Sequence, residues 1–106
     1  MENNMKALLI ATLAVGTVVS TPALASLELA KAKNCMACHS VDKKVLGPAY
    51  KDIAAKYADK KDAESYLAQK IIKGSQGVWG AVPMPPNATV TEKEASELAK
   101  WTLSLK

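Results

Sequence analysis

Apolar residues after position 26 recur at intervals of three and four, and no segment alternates strictly between apolar and polar residues. Intervals of three and four place side chains on one face of a helix, whereas alternation would indicate a strand. The pattern therefore predicts an all-α fold with about four helices. The first helix is expected from residue 27 to about residue 34, with Ser26 as its N-cap.

Three more helices are expected along the chain. One covers residues 51–57. The next begins after Asp62, a cap candidate, and ends at Gly74, a common C-terminal stop. The last begins at a capping box, in which Thr91 is followed three residues later by Glu94. The residues expected on the buried faces are Ile53, Ala54 and Tyr57 in the second helix, Leu67 and Ile71 in the third, and Ala95, Leu98, Thr102 and Leu105 in the fourth.

A different kind of segment precedes these helices. An apolar stretch over residues 7–19 is followed by Ala-Leu-Ala at 23–25, the small-x-small pattern of a signal peptidase site. We therefore predict that residues 1–25 are a cleaved secretory signal peptide and that residues 26–106 form the domain. A retained membrane anchor is the alternative, but the apolar stretch is short for a bilayer. No stable membrane insertion is expected after cleavage.

The main candidate chemistry lies in Cys35-Met36-Ala37-Cys38-His39, which contains both cysteines and the only histidine of the chain. C-x-x-C-H is the attachment sequence of a c-type haem, in which two thiols form thioethers and the histidine binds the iron. A redox dithiol would require a βαβ setting that the pattern lacks. A structural zinc site needs four ligands, and this chain offers three. A buried disulfide with an incidental histidine remains open.

The composition suggests that the core contains a bulky group that the side chains do not supply. The chain has no Phe, two Trp and three Tyr, so a domain this small would have a thin core unless a porphyrin filled it. The 14 basic residues are all lysines, and the formal net charge is +4. This modest excess favours acidic protein partners and excludes nucleic acid as a partner. A solvated lysine surface without a partner is the alternative.

Residues 75–89 have the glycines and prolines of a linker, but they also contain Val78, Trp79, Val82 and Met84, which a disordered linker rarely carries. We predict an ordered loop and a second iron ligand at Met84. The flanking prolines fix φ and make the loop stiff. Because the chain has no second histidine, ligation by two histidines is excluded. Ordinary loop packing is the alternative role for Met84.

Several motifs together resemble the small monohaem class I cytochromes c of respiring bacteria, the c-551 and c-552 type. The resemblance spans residues 26–106 and implies an all-α fold of about four helices around one covalently attached haem. The motifs are Cys35-Met36-Ala37-Cys38-His39, Gly47-Pro48-Ala49-Tyr50, Gly77-Val78-Trp79-Gly80, Val82-Pro83-Met84-Pro85-Pro86-Asn87 and Leu98-Ala99-Lys100-Trp101.

The resemblance also implies roles around the iron. Cys35 and Cys38 would form the thioethers, and His39 and Met84 would be the axial ligands. Pro48 would accept, through its carbonyl oxygen, the other ring N–H of His39, which fixes the tautomer of the imidazole.

Further roles follow around the rim of the haem. Trp79 would donate its indole N–H to a propionate, with plain packing as the alternative. Lys70, where relatives often have arginine, would lie near the propionates. A solvated surface charge is the alternative, because lysine cannot form the bidentate hydrogen bonds that arginine makes to a carboxylate. Asn87 would hold Met84 near its sulfur or serve as a turn residue. The residues assigned to packing are Tyr50, Leu67, Ile71, Leu98 and Trp101.

The expected function is a periplasmic one-electron carrier that is not an enzyme. The resemblance implies a monomer whose partners are larger redox proteins, such as a nitrite reductase, a terminal oxidase, a peroxidase or a cytochrome bc complex. Two other functions make different demands on the chain. A gas-binding or peroxidatic haem protein would need an open iron, and a dithiol oxidoreductase would leave the Pro-Met-Pro-Pro loop without a purpose.

Overall fold

The computed structural model describes residue 16 and residues 22–106 of the 106-residue chain. Over residues 22–106 it contains helices and two isolated bridges but no strand, so the predicted all-α fold is confirmed. Most of the predicted signal peptide lies outside the described residues. Within the described residues, no helix is both long and apolar enough to cross a membrane. The helices are α1 at Pro22–Ala32, α2 at Tyr50–Tyr57, α3 at Ala63–Lys73 and α4 at Glu92–Ser104, with a 3₁₀ helix at Cys35–Ala37.

The first helix differs from its prediction at both ends. It begins at Pro22 instead of residue 27, so Ser26 lies inside it and does not cap it. Proline is favoured at a first helical position because its missing N–H would be unpaired there, and the Ala-Leu-Ala that follows has high helix propensity. The helix ends at Ala32, two residues early. Asn34 then adopts a left-handed conformation with φ of 63° and begins the 3₁₀ turn.

The second and third helices lie within a residue of their predicted bounds. Gly74 follows α3 as expected, and its N–H donates to the carbonyl oxygen of Lys70 at 2.8 Å. Asp62 does occupy the N-cap position of α3, but its side chain makes no capping hydrogen bond. The carboxylate instead pairs with the Lys60 ammonium at 3.2 Å, and this pair lowers the pKa of Asp62.

Helix α4 is the centre of the packing, because α1, α2 and α3 all contact it. Of its predicted buried face, Ala95, Leu98 and Thr102 are buried, and so is Trp101, whereas Leu105 lies at the C-cap just after the helix and is only partly buried. The Thr102 hydroxyl is satisfied by the Leu98 carbonyl oxygen at 2.8 Å. The other buried apolar residues of the core are Ala30 from α1, Tyr50, Ile53 and Tyr57 from α2, Ala63, Leu67 and Ala68 from α3, Val90 before α4 and Ala99 within it.

The predicted capping box of α4 is confirmed. The Thr91 hydroxyl accepts from the Glu94 N–H at 3.2 Å, and the Glu94 carboxylate accepts from the Thr91 N–H at 3.0 Å. This backbone N–H is the main reason that the pKa of Glu94 lies below its ordinary value. A lowered folded pKa stabilises the protein at neutral pH, and this contribution is lost as the pH falls through the folded pKa.

We expect Thr91→Ala to lower the free energy of unfolding by about 1 kcal/mol, because the Glu94 N–H loses its acceptor. Thr89→Ala is the matched control, since Thr89 is exposed and precedes the helix; it should change stability by less than about 0.5 kcal/mol. Urea unfolding followed by circular dichroism measures both. Equal effects of the two substitutions would contradict the cap.

Candidate functional site

A cavity of about 370 Å³ lies between the helices and the loop that follows α3. This volume is in the range of cofactor and ligand pockets. Seven of the eight predicted cofactor-binding residues line it, and Asn87 is the exception. They are Cys35, Cys38, His39, Pro48, Lys70, Trp79 and Met84. The packing residues Tyr50, Leu67, Ile71 and Leu98 also line the cavity, whereas Trp101 supports it from behind, with its ring centroid 4.9 Å from that of Tyr50.

The two cysteines reach the cavity because the chain between them forms a tight 3₁₀ turn. The N–H groups of Cys38 and His39 both donate to the carbonyl oxygen of Cys35, at 3.2 and 3.0 Å. Burial raises the pKa of the Cys35 thiol, whereas a redox-active cysteine needs a lowered pKa to form its thiolate. The arrangement thus favours covalent attachment over a reactive dithiol.

The imidazole of His39 is buried and has a defined tautomer. Its Nδ1 lies 2.8 Å from the carbonyl oxygen of Pro48, and a carbonyl can only accept, so Nδ1 carries the proton and donates. In this tautomer the lone pair of the imidazole lies on the other ring nitrogen, Nε2. A neutral imidazole held in this way by a carbonyl is typical of a histidine that ligates a metal.

Gly47 allows the chain to close around this ring, a role that the sequence did not indicate. A Cβ at Gly47 would lie 2.7 Å from Cε1 and 3.0 Å from Nδ1 of His39. The Gly47 N–H donates to the Cys38 carbonyl oxygen at 2.8 Å. The Tyr50 ring lies on another side of the imidazole, with 5.1 Å between ring centroids. His39 is therefore fixed by backbone and side-chain contacts together.

The loop that carries Met84 is tied to the end of α3. The N–H of Ser75 donates to the Met84 carbonyl oxygen at 3.0 Å, and the N–H of Met84 donates to the Ser75 carbonyl oxygen at 2.9 Å. The side-chain amide of Asn87 donates to the Ile71 carbonyl oxygen at 2.8 Å. Asn87 thus fastens the loop through backbone carbonyl groups, and its contact with the Met84 sulfur stays a prediction.

Lysines and aromatic rings lie beside one another near Trp79 and Lys70. The Lys56 ammonium is 4.5 Å from the centroid of the Trp79 ring, and the Lys70 ammonium is 5.3 Å from that of Tyr66. Burial, with the neighbouring Tyr66, raises the pKa of Tyr57 to about 12, so its hydroxyl stays neutral. The sequence did not single out Lys56 or Tyr66, since only the fold brings them to these rings.

The residues around the cavity fit a c-type haem. Two cysteine thiols lie on one segment, next to the His39 imidazole, and a thioether comes from another segment. Imidazole and thioether together are the axial ligand pair of cytochromes c. The packing residues of the cavity are apolar, as the faces of a porphyrin require.

Comparison with known proteins agrees with this fit. The sequence model of the Cytochrome c family matches residues 26–106. The chain is 60% identical over 89 residues to cytochrome c-552 of Nitrosomonas europaea, which covers 84% of this chain and 86% of the relative. It is 55% identical over 100 residues to cytochrome c-551 of Pseudomonas aeruginosa, covering 92% of this chain and 95% of the relative.

A solved structure shows the same fold. The crystal structure of wild-type Nitrosomonas europaea cytochrome c552 superposes with a TM-score of 0.74 at 62% identity, covering 76% of this chain and 99% of that one. Fold, site and relatives together define a small haem protein of the electron-carrier class. The chain belongs to the cytochrome c family, whose members hold a covalently attached haem c.

Proposed function

We propose that the protein is a soluble periplasmic carrier of single electrons. In this proposal Cys35 and Cys38 form thioethers to the haem, and His39 and Met84 ligate the iron. The supporting observation is that these four side chains line one cavity, although Met84 lies far along the chain from the other three. A histidine and a methionine together leave no open coordination position. The protein therefore exchanges electrons and catalyses no reaction of its own.

The bound haem supplies one-electron chemistry, with iron that can be ferrous or ferric. The chain's own residues set the conditions for this chemistry. The carbonyl oxygen of Pro48 accepts the Nδ1–H of His39, which leaves Nε2 as the nitrogen that would face the iron and makes it a more basic ligand. The uncharged thioether of Met84 favours ferrous iron and so raises the potential. Backbone hydrogen bonds between Ser75 and Met84 limit movement of the loop, which would help Met84 to hold the iron through its weakly binding sulfur.

The haem carboxylates are assigned to the end of the cavity near Trp79 and Lys70. Both residues line the cavity, and Trp79 is just over one third exposed. An indole N–H and an ammonium are both donors, which suits a carboxylate. Asn87 completes this assignment by steadying Met84 through its hydrogen bond to Ile71 and through the proposed contact with the sulfur.

The proposed location in the periplasm rests on the sequence, and the proposed partners rest on the surface around the cavity. Residues 1–25 would be removed on export, and the family match begins at residue 26. Leu46 and Val82 are exposed and line the cavity, which supports brief apolar contact with a larger redox protein. The lysine excess would steer this encounter. A nitrite reductase, terminal oxidase, peroxidase or cytochrome bc complex remains the proposed kind of partner for the monomer.

One purification from the periplasmic fraction tests the proposal through a visible spectrum and an intact mass. We expect sharp bands in the reduced protein, a weak far-red sulfur-to-iron band in the ferric protein, and the mass of residues 26–106 plus one haem. High-spin ferric bands would indicate an open iron, as in a gas-binding or peroxidatic protein. The absence of a Soret band would indicate a dithiol oxidoreductase. A mass that includes residues 1–25 would contradict cleavage.

A further inference from the structure

Gly74, the residue that ends α3, lies directly against the backbone of the Met84 loop. Its φ is +77° and its ψ is 179°, a combination that almost only glycine adopts. A Cβ at this position would overlap the Met84 carbonyl oxygen, and it would lie 3.0 Å from the Pro86 nitrogen and 3.1 Å from the Pro85 carbonyl carbon. All three are backbone atoms, so no side-chain rotation could relieve the overlap.

The contact at Gly74 is distinct from those of the other loop glycines. Gly77 and Gly80 also have a positive φ, of 72° and 117°, but a Cβ at either residue would have no atom within 4 Å. Only Gly74 therefore combines a positive φ with a close approach to the Met84 loop. This approach is where the paired hydrogen bonds between Ser75 and Met84 begin.

We propose that Gly74 is a positioning residue for Met84, a role that rests on the proposed function of Met84 as the iron ligand. The glycine lets the end of α3 approach the Met84 carbonyl group closely. Ser75 then holds Met84 through hydrogen bonds to both its N–H and its carbonyl oxygen. Asn87 fixes the other end of the same segment, because its N–H donates to the carbonyl oxygens of Ile71 and Ile72 at 3.3 and 3.2 Å.

Residues 84–87 are thus attached at one end to Ser75, just after α3, and at the other end to the last turn of α3, so a methyl group at residue 74 would push the segment as a unit. A ligand must be held to within about 0.5 Å of its productive position. Displacement of the Met84 backbone would therefore lengthen or break the bond from its sulfur. The same push would break the hydrogen bonds between Ser75 and Met84.

The test compares Gly74→Ala with Gly80→Ala in the haem-loaded protein. Both substitutions place alanine at a positive φ, but only the first crowds the Met84 loop. In Gly74→Ala we expect loss of the far-red ferric band. We also expect hydrogen exchange at the Ser75 and Met84 amides to be roughly tenfold faster or more, the scale of overpacking in a filled site. Gly80→Ala should keep the band and the slow exchange at both amides.

A general loss of stability has a different signature. If Gly74→Ala accelerates exchange equally at Leu98 in α4 and at Met84, the glycine is only structural and the proposal is wrong. An unchanged band with unchanged exchange would also overturn it. Should Gly74→Ala yield little holoprotein, both readouts are taken on the fraction that carries haem, because the far-red band and amide exchange report only on those molecules, and the same two outcomes apply.

Failure of the proposed function would be seen separately. If the unaltered ferric protein has no far-red band, Met84 is not the ligand and the function assigned above fails. Amide exchange at Ser75 and Met84 still reports whether Gly74 positions the loop, because this readout does not depend on the ligand.

Discussion

Met84→Ala is expected to open the iron to carbon monoxide and to abolish the far-red ferric band. Among the described residues, Met84 is the only methionine that lines the cavity. Alanine cannot donate a sulfur lone pair, and the stiff proline-flanked loop cannot bring a neighbouring side chain to the same point. The reduced variant should therefore bind carbon monoxide, whereas the unaltered protein should resist it. The reduction potential should also fall, because the thioether favours ferrous iron.

Met36→Ala is the matched control. Met36 lies in the 3₁₀ turn between the two cysteines and is not part of the cavity wall. Its loss removes a thioether of the same size from the same protein, and it should leave both the far-red band and the resistance to carbon monoxide unchanged. Carbon monoxide titration of the dithionite-reduced variants measures the difference. If the band survives in Met84→Ala and disappears in Met36→Ala, the ligand assignment is wrong.

The helices were predictable where local signals agree with the packing. Helix α4 has both a capping box and a buried face with helical spacing, so Thr91 and Leu98 indicated its start and its orientation. The start of α1 was predicted wrongly because a serine is a common cap, while the helix continues through good helix formers back to Pro22. At Asp62 the position was right, but Lys60 competes for the carboxylate.

The site was predictable to the extent that its chemistry lies in consecutive residues. C-x-x-C-H and the Pro-Met-Pro-Pro loop are short patterns, and the fold brings them to one cavity. Contacts that depend on distant segments carry no such pattern. The left-handed Asn34 and the close approach of Gly47 to His39 are two examples. The hydrogen bond from Asn87 to Ile71 is another, since it joins residues of different elements.

The apoprotein should not fold. A chain of residues 26–106 buries only about 60–65% of its unfolded surface, and this one has no Phe. Core residues such as Leu67 and Leu98 line the cavity. Without the cofactor, these side chains lose their contacts on one side of a core that is already small.

The stabilisation that the haem contributes can be compared with the total stability of a domain. A porphyrin that buries roughly 400 Å² of apolar surface contributes on the order of 10 kcal/mol. A typical domain has about 5–15 kcal/mol of total stability, so loss of the haem leaves little or none. The attachments at Cys35, Cys38, His39 and Met84 would also cross-link the chain and restrict its unfolded state.

The variant with both Cys35→Ala and Cys38→Ala, expressed without haem attachment, should therefore show weak helical circular dichroism and no cooperative thermal transition. Addition of free haemin is the control, because His39 and Met84 are unchanged in this variant and the cavity can still be filled. Haemin should restore part of the helix signal and a transition. A sharp transition with near-native helix content before haemin is added would mean that the polypeptide core suffices, with α4 and its three partner helices stable around an empty space.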